Sequence, residues 1–386
     1  MKKTISQLGY LRAFYFFQFG ALGALFPFLP LIFVGRGLSA KEISWVMVLY
    51  PISSLISPPF WGLLADTFKA RVLLLRIVSF CCAGSILLLL WPKTLLGNLL
   101  ATGVFCFFRA PIVSLADASA HAVLGDQRAE FAKTRVWGSV GFAIFALGLG
   151  LLHGTSRPSF LLGLTSAIYA LGGLTSLFLY APPSERQTAV FKQTLCLFRR
   201  SPMLLFLMAN CIYYSAHATF DVYFGLFVRR LGHFDSFLGA AWGIGVGCEI
   251  LLMLFLATPI LRRFDTSSAL ILCSILATVR WGCFSFATSQ IALLVIQSLH
   301  AFTFGLWYLS MVKRAQDQAP QHLRTSVQSV VFSFMGLGMI IGYLVGGVVF
   351  EQQGSAVLYL FASTAAAIST LLYFLMTVSA HRGRTV

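Results

Sequence analysis

Apolar runs of about twenty residues, separated by short polar breaks, recur along this chain from near its start to near its end. A membrane-spanning helix needs about 20 mostly apolar residues. Twelve stretches meet that length, at roughly 10–34, 43–64, 72–91, 95–118, 136–152, 160–181, 203–228, 237–260, 269–287, 291–312, 329–349 and 357–379. The breaks are brief, as in GRGLSAKE at 35–42, RRLGHFDS at 229–236 and RRFDTSS at 262–268. Period-two alternation, the mark of an outer-membrane barrel, is absent. Backbone inside hydrocarbon must satisfy its own hydrogen bonds, so helices are predicted. The first stretch is too long for a signal-peptide core and runs straight on into the second, and it reads as the first helix.

Composition narrows the class. Of 386 residues, 58% are hydrophobic and 10% charged, against about 45–50% and 25% in a soluble domain. Too few polar side chains remain to cover a soluble fold, which excludes a cytosolic enzyme, a disordered chain and a nucleic-acid-binding protein. The net charge of +16 acquires its meaning from position. With the N-terminus inside, eighteen of the 28 Lys and Arg residues fall in cytoplasmic segments and six on the opposite side. The other four, Arg12, Arg76, Arg109 and Arg280, lie in or at the ends of spans. That asymmetry matches the positive-inside rule and predicts that both termini are cytoplasmic. The expected location is the cell membrane, the inner one in a Gram-negative source.

The longest break, residues 181–202, begins where Pro182 and Pro183 stop the sixth helix. It divides the chain into a six-helix bundle over 1–181, a cytoplasmic linker over 182–202 and a second six-helix bundle over 203–386. Loosely similar segments after spans four and ten, AEFAKTRVWGSVGF and QHLRTSVQSVVFSF, are consistent with an internal duplication. Seven cysteines (Cys81, Cys82, Cys106, Cys211, Cys248, Cys273 and Cys283) fall in spans and Cys196 in a cytoplasmic loop. None sits at metal-ligand spacing or in an outer loop, so they read as small packing residues. No metal or other cofactor is expected.

After span two comes Gly62-Leu-Leu-Ala-Asp66-Thr-Phe-Lys69-Ala-Arg71. A small residue lets helices approach, and an acid at one helix end can meet bases on the next. In a twelve-span chain this loop resembles the signature loop of the major facilitator superfamily. PFLPLIF at 27–33, GLSAKEIS at 37–44 and ISPPFWGLLAD at 56–66 are similar to the phenylpropionate-permease-like branch of that superfamily, close to the nucleoside–proton symporters and lactose permeases. So are the segments from Arg135 to Phe142, Trp242 to Glu249, Val279 to Trp281 and Gln297 to Gly305. Thr67 stands where a basic residue is usual, and the loop after span eight is degenerate. The fifth span lacks the Gly-Pro pattern of drug–proton antiporters. The resemblance implies an all-α fold of two six-helix bundles around a central cavity, worked by alternating access, with protons and a small organic solute as partners. It also implies gating by Gly62, Asp66, Lys69 and Arg71.

Charges at membrane depth add a site. Each costs about 2.5–3.5 kcal/mol on insertion scales and calls for a partner or a purpose. Asn210, Tyr214, His217 and Asp221 share one face of span seven. Glu249 is at the middle of span eight, Arg280 near the middle of span nine, and His300 about ten residues into span ten. The Glu, Arg and His of three successive spans resemble lactose permease, which implies that Glu249, Arg280 and His300 couple proton to solute. Helical geometry adds Asp221 and His217. The alternative is a static ion pair, for instance Glu249 with Arg280.

In the first half, Arg109 in span four is suited to a carboxylate through a bidentate contact, or else to an acid on a neighbouring helix. Asp117 and His121 are expected to partner Arg135 or Arg128 at a gate. Tyr15, Gln18, Tyr50, Asn210 and Gln297 are candidate solute contacts, or interhelical hydrogen bonds. Phe304, Trp307 and Tyr308 lie below His300 and are candidates for the cavity wall. The expectation is a monomeric, non-enzymatic, proton-coupled importer of a small polar or anionic solute. An aromatic acid, nucleoside, sugar or siderophore is compatible with these helices. An exporter on the same fold and a receptor with a carrier fold are the alternatives, and no nucleotide-binding loop or catalytic constellation points elsewhere.

Overall fold

The computed structural model describes residues 2–124, 128–180, 201–320 and 323–382, and every regular element among them is helical. Among the described residues, eleven helices are long and apolar enough to cross a membrane. They are α1 (Gln7–Gly35), α2 (Ala40–Phe68), α3 (Arg71–Leu90), α4 (Leu95–Leu124), α5 (Lys133–Leu151), α6 (Pro158–Ser176), α7 (Pro202–Arg230), α8 (Asp235–Arg263), α9 (Thr266–Phe286), α10 (Gln290–Asp317) and α11 (Ser326–Ser379). Ten predicted stretches match α1 to α10 one for one. The last two, 329–349 and 357–379, both fall in α11. That run is broken at Gly354, whose φ of 85° and ψ of −178° form a combination essentially open to glycine alone.

Local chemistry sets the helix boundaries. Ser39 and Glu42 form a reciprocal capping box that starts α2: the Glu42 N–H donates to Ser39 Oγ (3.3 Å) and the Ser39 N–H donates to Glu42 Oε2 (2.8 Å). Lys69, with φ of 50°, ends α2 in the left-handed region. The Asp265 carboxylate accepts from the N–H groups of Ser267 (2.8 Å) and Ser268 (3.0 Å) to start α9. Large apolar side chains such as Leu96, Phe286 and Ile291 are 64%, 79% and 77% exposed. Such exposure suits contact with lipid rather than water.

Residues Met1–Arg186 and Gly225–Gly243 make one compact unit, and Gln187–Phe224 and Ile244–Val386 a second. The anticipated division at 181–202 falls almost wholly outside the described residues. The ends of α7 and α8 that flank residues 231–234 belong to the first unit, although their sequence lies in the second half of the chain.

Within the first unit, α1 and α5 touch backbone to backbone. A Cβ placed on Gly23 would sit 2.3 Å from the Phe142 carbonyl oxygen, and one on Gly141 would sit 2.1 Å from that of Phe16. Within the second unit, α7 meets the first half of α11 by the same device. A Cβ on Gly338 would lie 2.2 Å from the Cys211 carbonyl oxygen, and one on Gly342 would lie 2.3 Å from that of Ser215. Lipid supplies no hydrophobic drive for helix association, so close approach through small residues carries much of the packing.

Candidate functional site

The second unit buries a polar cluster on α7 to α10. Glu249 on α8 reaches His300 on α10, with Oε2 and Nε2 3.5 Å apart and both side chains under a tenth exposed. Gly305 makes room for this contact, since a Cβ there would stand 2.8 Å from Glu249 Cγ. His217 on α7 stacks on His300 at 5.5 Å between centroids, and Phe304 stacks on both imidazoles at 5.3 Å. Nδ1 of each histidine has no hydrogen-bond partner. Two π-turns flank the pair, Leu252–Leu256 just after Glu249 and Ala301–Leu306 just after His300. Such turns are rare and concentrate at functional sites.

Arg280 on α9 is fully buried and has no carboxylate within 4.0 Å among the described residues. It donates to Thr303 Oγ1 (2.7 Å) and Gln297 Oε1 (2.9 Å). Its guanidinium carbon also lies 4.4 Å from the centroid of Trp281 and 5.0 Å from that of Phe220. A planar cation tolerates such aromatic faces well. The anticipated alternative, Glu249 paired with Arg280, is therefore not the arrangement found. Asp221 is 9% exposed and has no hydrogen bond or ion pair among the described residues, although its charge and that of Arg280 act on one another.

Asn210 stands apart from this cluster. Its Oδ1 accepts from the Tyr373 hydroxyl (3.0 Å), which in turn accepts from Trp307 Nε1 (3.0 Å), and its Nδ2 donates to the Phe206 carbonyl oxygen (2.6 Å). These bonds tie α7, α10 and α11 together. Tyr214 stacks between His217 (5.5 Å) and Trp307 (5.7 Å).

In the first unit, Arg109 lies over the ring of Tyr50 at 4.8 Å. Arg109 and Gln18 share a half-open cleft of about 20 Å³ with Phe19, Leu22, Ile112, Val113 and Tyr169. Tyr15 is engaged elsewhere: its hydroxyl donates to Asp117 Oδ1 (2.6 Å), to which Arg135 also donates (3.1 Å). Asp117 and Arg135 are thus brought together, and Arg135 covers the faces of Tyr15 and Phe19 at 5.4 and 4.9 Å. His121 stacks on Phe131 at 4.2 Å, and the side chain of Arg128, the other partner expected at this gate, lies outside the described residues. Across the turn between α2 and α3, Asp66 and Arg71 stand 3.5 Å apart. Nothing lies within 4 Å of a Cβ on Gly62, so that glycine makes no close helix contact here.

Two features were not anticipated. Thr303, a partner of Arg280, is six residues from Gln297, which a regular 3.6-residue turn would put on another face; it falls inside the second π-turn. Asp235, at the start of α8, accepts from the Thr155 N–H (2.9 Å) and hydroxyl and lies 3.5 Å from Arg229. An acid two residues before the predicted start of span eight would have signalled a cap, but nothing in its neighbourhood named Thr155.

The MFS_1 like family model matches residues 8–361. The maltose permease of Geobacillus stearothermophilus is 27% identical over all of this chain and 96% of its own length. A protein of Escherichia coli (strain K12) named "Probable 3-phenylpropionic acid transporter" is 27% identical, covering 91% of this chain and 93% of its own. Among solved structures, nucleoside transporter NupG superposes with a TM-score of 0.84 at 18% identity, over 98% of this chain and 99% of that one. That likeness speaks for the fold alone.

Proposed function

The chain belongs to the MFS_1 like family of membrane transporters, and from that premise we propose that it is a proton-coupled importer of a small polar or anionic organic solute. It works by alternating access between two six-helix bundles, with both termini in the cytoplasm. The chain crosses the membrane twelve times. A single unbroken α11 of 54 residues would be about 80 Å long at 1.5 Å per residue, against a hydrocarbon core of about 30 Å. The break at Gly354 lets it cross twice. The excess of Lys and Arg in the proposed inner loops supports the orientation.

The observation that carries the coupling is the buried Glu249–His300 contact, 3.5 Å between Oε2 and Nε2, beside an Arg280 without a carboxylate of its own. A carboxylate and an imidazole in contact can share one proton with no net charge on the pair, and releasing it leaves a single negative charge that the nearby Arg280 can balance. Arg280, with Asp221 and His217 nearby, biases that exchange electrostatically. Protonation from outside permits solute binding, and loss of the proton inside resets the carrier. A potential of 100 mV supplies about 2.3 kcal/mol for each charge moved. Asp66, Lys69 and Arg71, and the Asp117–Arg135 pair, act as cytoplasmic gates that form in one state and part in the other.

Proteoliposomes holding the purified protein test this reading with a panel of labelled sugars, nucleosides and aromatic acids. An inward proton gradient should concentrate a solute inside, and an uncoupler should collapse the accumulation. Accumulation driven only by an outward solute-for-proton exchange would mean an antiporter instead.

A further inference from the structure

Arg109 is a cation in a spanning helix with no carboxylate within 4.0 Å among the described residues. Five acids of its unit are described, and each is engaged elsewhere. Glu42 caps α2, and Asp66 faces Arg71 at 3.5 Å. Asp117 holds Arg135 at 3.1 Å and Glu130 holds Lys133 at 2.8 Å. Asp235 binds Thr155 and faces Arg229. None of them is within 4.0 Å of the Arg109 guanidinium, which rests on the Tyr50 ring with its Nε unpartnered. A charge so placed costs about 2.5–3.5 kcal/mol on insertion scales; the Tyr50 ring offsets part of that, but no carboxylate described in its own unit does.

The surroundings of Arg109 are unsatisfied in the same direction. Gln18 is 4% exposed, and neither atom of its amide has a partner; the Tyr50 hydroxyl, 2% exposed, has none either. Gln18 and Arg109 face one cleft of about 20 Å³ whose other walls are mainly apolar. That is room for one water-sized group. It admits the head of a solute and leaves the rest outside. Guanidinium and amide together offer several donors, the complement of two carboxylate oxygens. A sugar hydroxyl brings no charge to balance the guanidinium, and a phosphate brings a third terminal oxygen and a second charge.

We propose that this cleft binds the carboxylate head of the transported solute, so that the substrate is an organic monoanion held by Arg109 and Gln18, with Tyr50 supporting the guanidinium from below. The assignment rests on the transport reading above and adds the substrate class to it.

The experiment measures thermal unfolding of the purified full-length protein in detergent. The probes are sodium acetate, butyrate and benzoate at millimolar concentration, each beside its uncharged primary amide, with sodium chloride matching ionic strength. At least one carboxylate should raise Tm in a saturable way while its amide does not. Arg109→Gln and Gln18→Ala should weaken that carboxylate's apparent affinity by on the order of tenfold or more. Arg109→Lys, which keeps the charge and loses the fork, should fall between. Should Arg109→Gln fail to fold, Gln18→Ala and Arg109→Lys carry the comparison. The assignment is overturned if amides stabilise as well as acids, if no carboxylate shifts Tm, or if the variants bind unchanged. The two proposals fail separately. Arg109-dependent carboxylate binding without uncoupler-sensitive uptake leaves the cleft and removes the coupling. Uncoupler-sensitive uptake of an uncharged solute that survives Arg109→Gln does the reverse.

Discussion

His300 Nε2 lies 3.5 Å from Glu249 Oε2 within a side-chain cluster that is under a tenth exposed at both residues. Neither group has a second charged partner within 4.0 Å among the described residues. Glu249→Gln keeps the shape and removes the titratable carboxylate. We expect accumulation against a gradient to be lost while solute counterflow, which moves no net proton, persists. Full accumulation by Glu249→Gln in proteoliposomes would refute the coupling role.

Arg280 depends on Thr303 and Gln297, at 2.7 and 2.9 Å, for its hydrogen bonds. Thr303→Val preserves volume but strips the acceptor from a buried guanidinium. Leaving such a donor unsatisfied costs about 1–3 kcal/mol or more. Thr303→Val should therefore lower Tm in detergent, and Thr303→Ser, which retains the hydroxyl, should restore most of it. Equal Tm values for Val and Ser would mean that the Thr303 bond contributes nothing.

Gly23 and Gly141 predict a contrast in folding. An alanine at Gly23 would put its Cβ 2.3 Å from the Phe142 carbonyl oxygen, and one at Gly141 would sit 2.1 Å from that of Phe16. Backbone cannot step aside as a side chain can, so α1 and α5 would be forced apart. Gly163 on α6 has nothing within 4 Å of the same position. Gly23→Ala and Gly141→Ala should reduce the folded yield sharply, and Gly163→Ala should not. A folded Gly23→Ala with unchanged Tm would overturn the close-contact account.

The parts of this architecture that a bilayer dictates were legible in the sequence, because a fixed thickness imposes a fixed length of apolar residues. That is why the ten stretches matching α1 to α10 were placed, and why Glu249, Arg280 and His300 stood out in a chain with 10% charged residues. What depends on departures from regular geometry was not legible. The π-turn at Ala301–Leu306 brings Thr303 to Arg280, and no 3.6-residue wheel contains it. The placement of Asp235 beside Thr155 and of residues Gly225–Gly243 in the first unit joins segments far apart in sequence. Short-range pattern carries no information about such pairs. Tyr15 and Asn210 illustrate a third case. Their polar groups were visible, but whether a polar group faces a solute or another helix depends on neighbours that only the fold supplies.

Asp265 gives a pH dependence outside the spans. Partial burial would raise the carboxyl, but hydrogen bonds from Ser268 and Ser267 outweigh it and hold the pKa below the usual carboxylate value. The folded pKa is thus lower than the unfolded one. The cap's contribution is then fully present above the unfolded value and is lost as pH falls through the folded one. Asp265→Ala should cost about 0.5–2 kcal/mol at neutral pH, and the deficit relative to the parent should shrink as the pH is lowered. Asp265→Asn, which can still accept, should lose less at neutral pH and should not show that convergence. Parallel Tm-against-pH curves for parent and Asp265→Ala would contradict it.

Gly62 separates a structural role from a gating one. A Cβ at this position meets nothing within 4 Å, and glycine inside a helix is disfavoured relative to alanine by roughly 0.5–1 kcal/mol. On stability alone Gly62→Ala should be neutral or slightly favourable, with Tm unchanged or raised. If the proposed gate closes by bringing another helix against this face in a different state of the cycle, the same methyl group obstructs it. The Asp66–Arg71 contact at 3.5 Å lies one turn away and would be formed or strained by the same movement. Gly62→Ala is therefore expected to fold normally, bind solute normally and turn over severalfold more slowly, with Gly62→Val slower still. A loss of Tm in Gly62→Ala would mean that the residue already packs in the state described. Undiminished uptake by Gly62→Val would mean that no state of the cycle uses the space, and the gating role of this loop would then rest on Asp66, Lys69 and Arg71 alone.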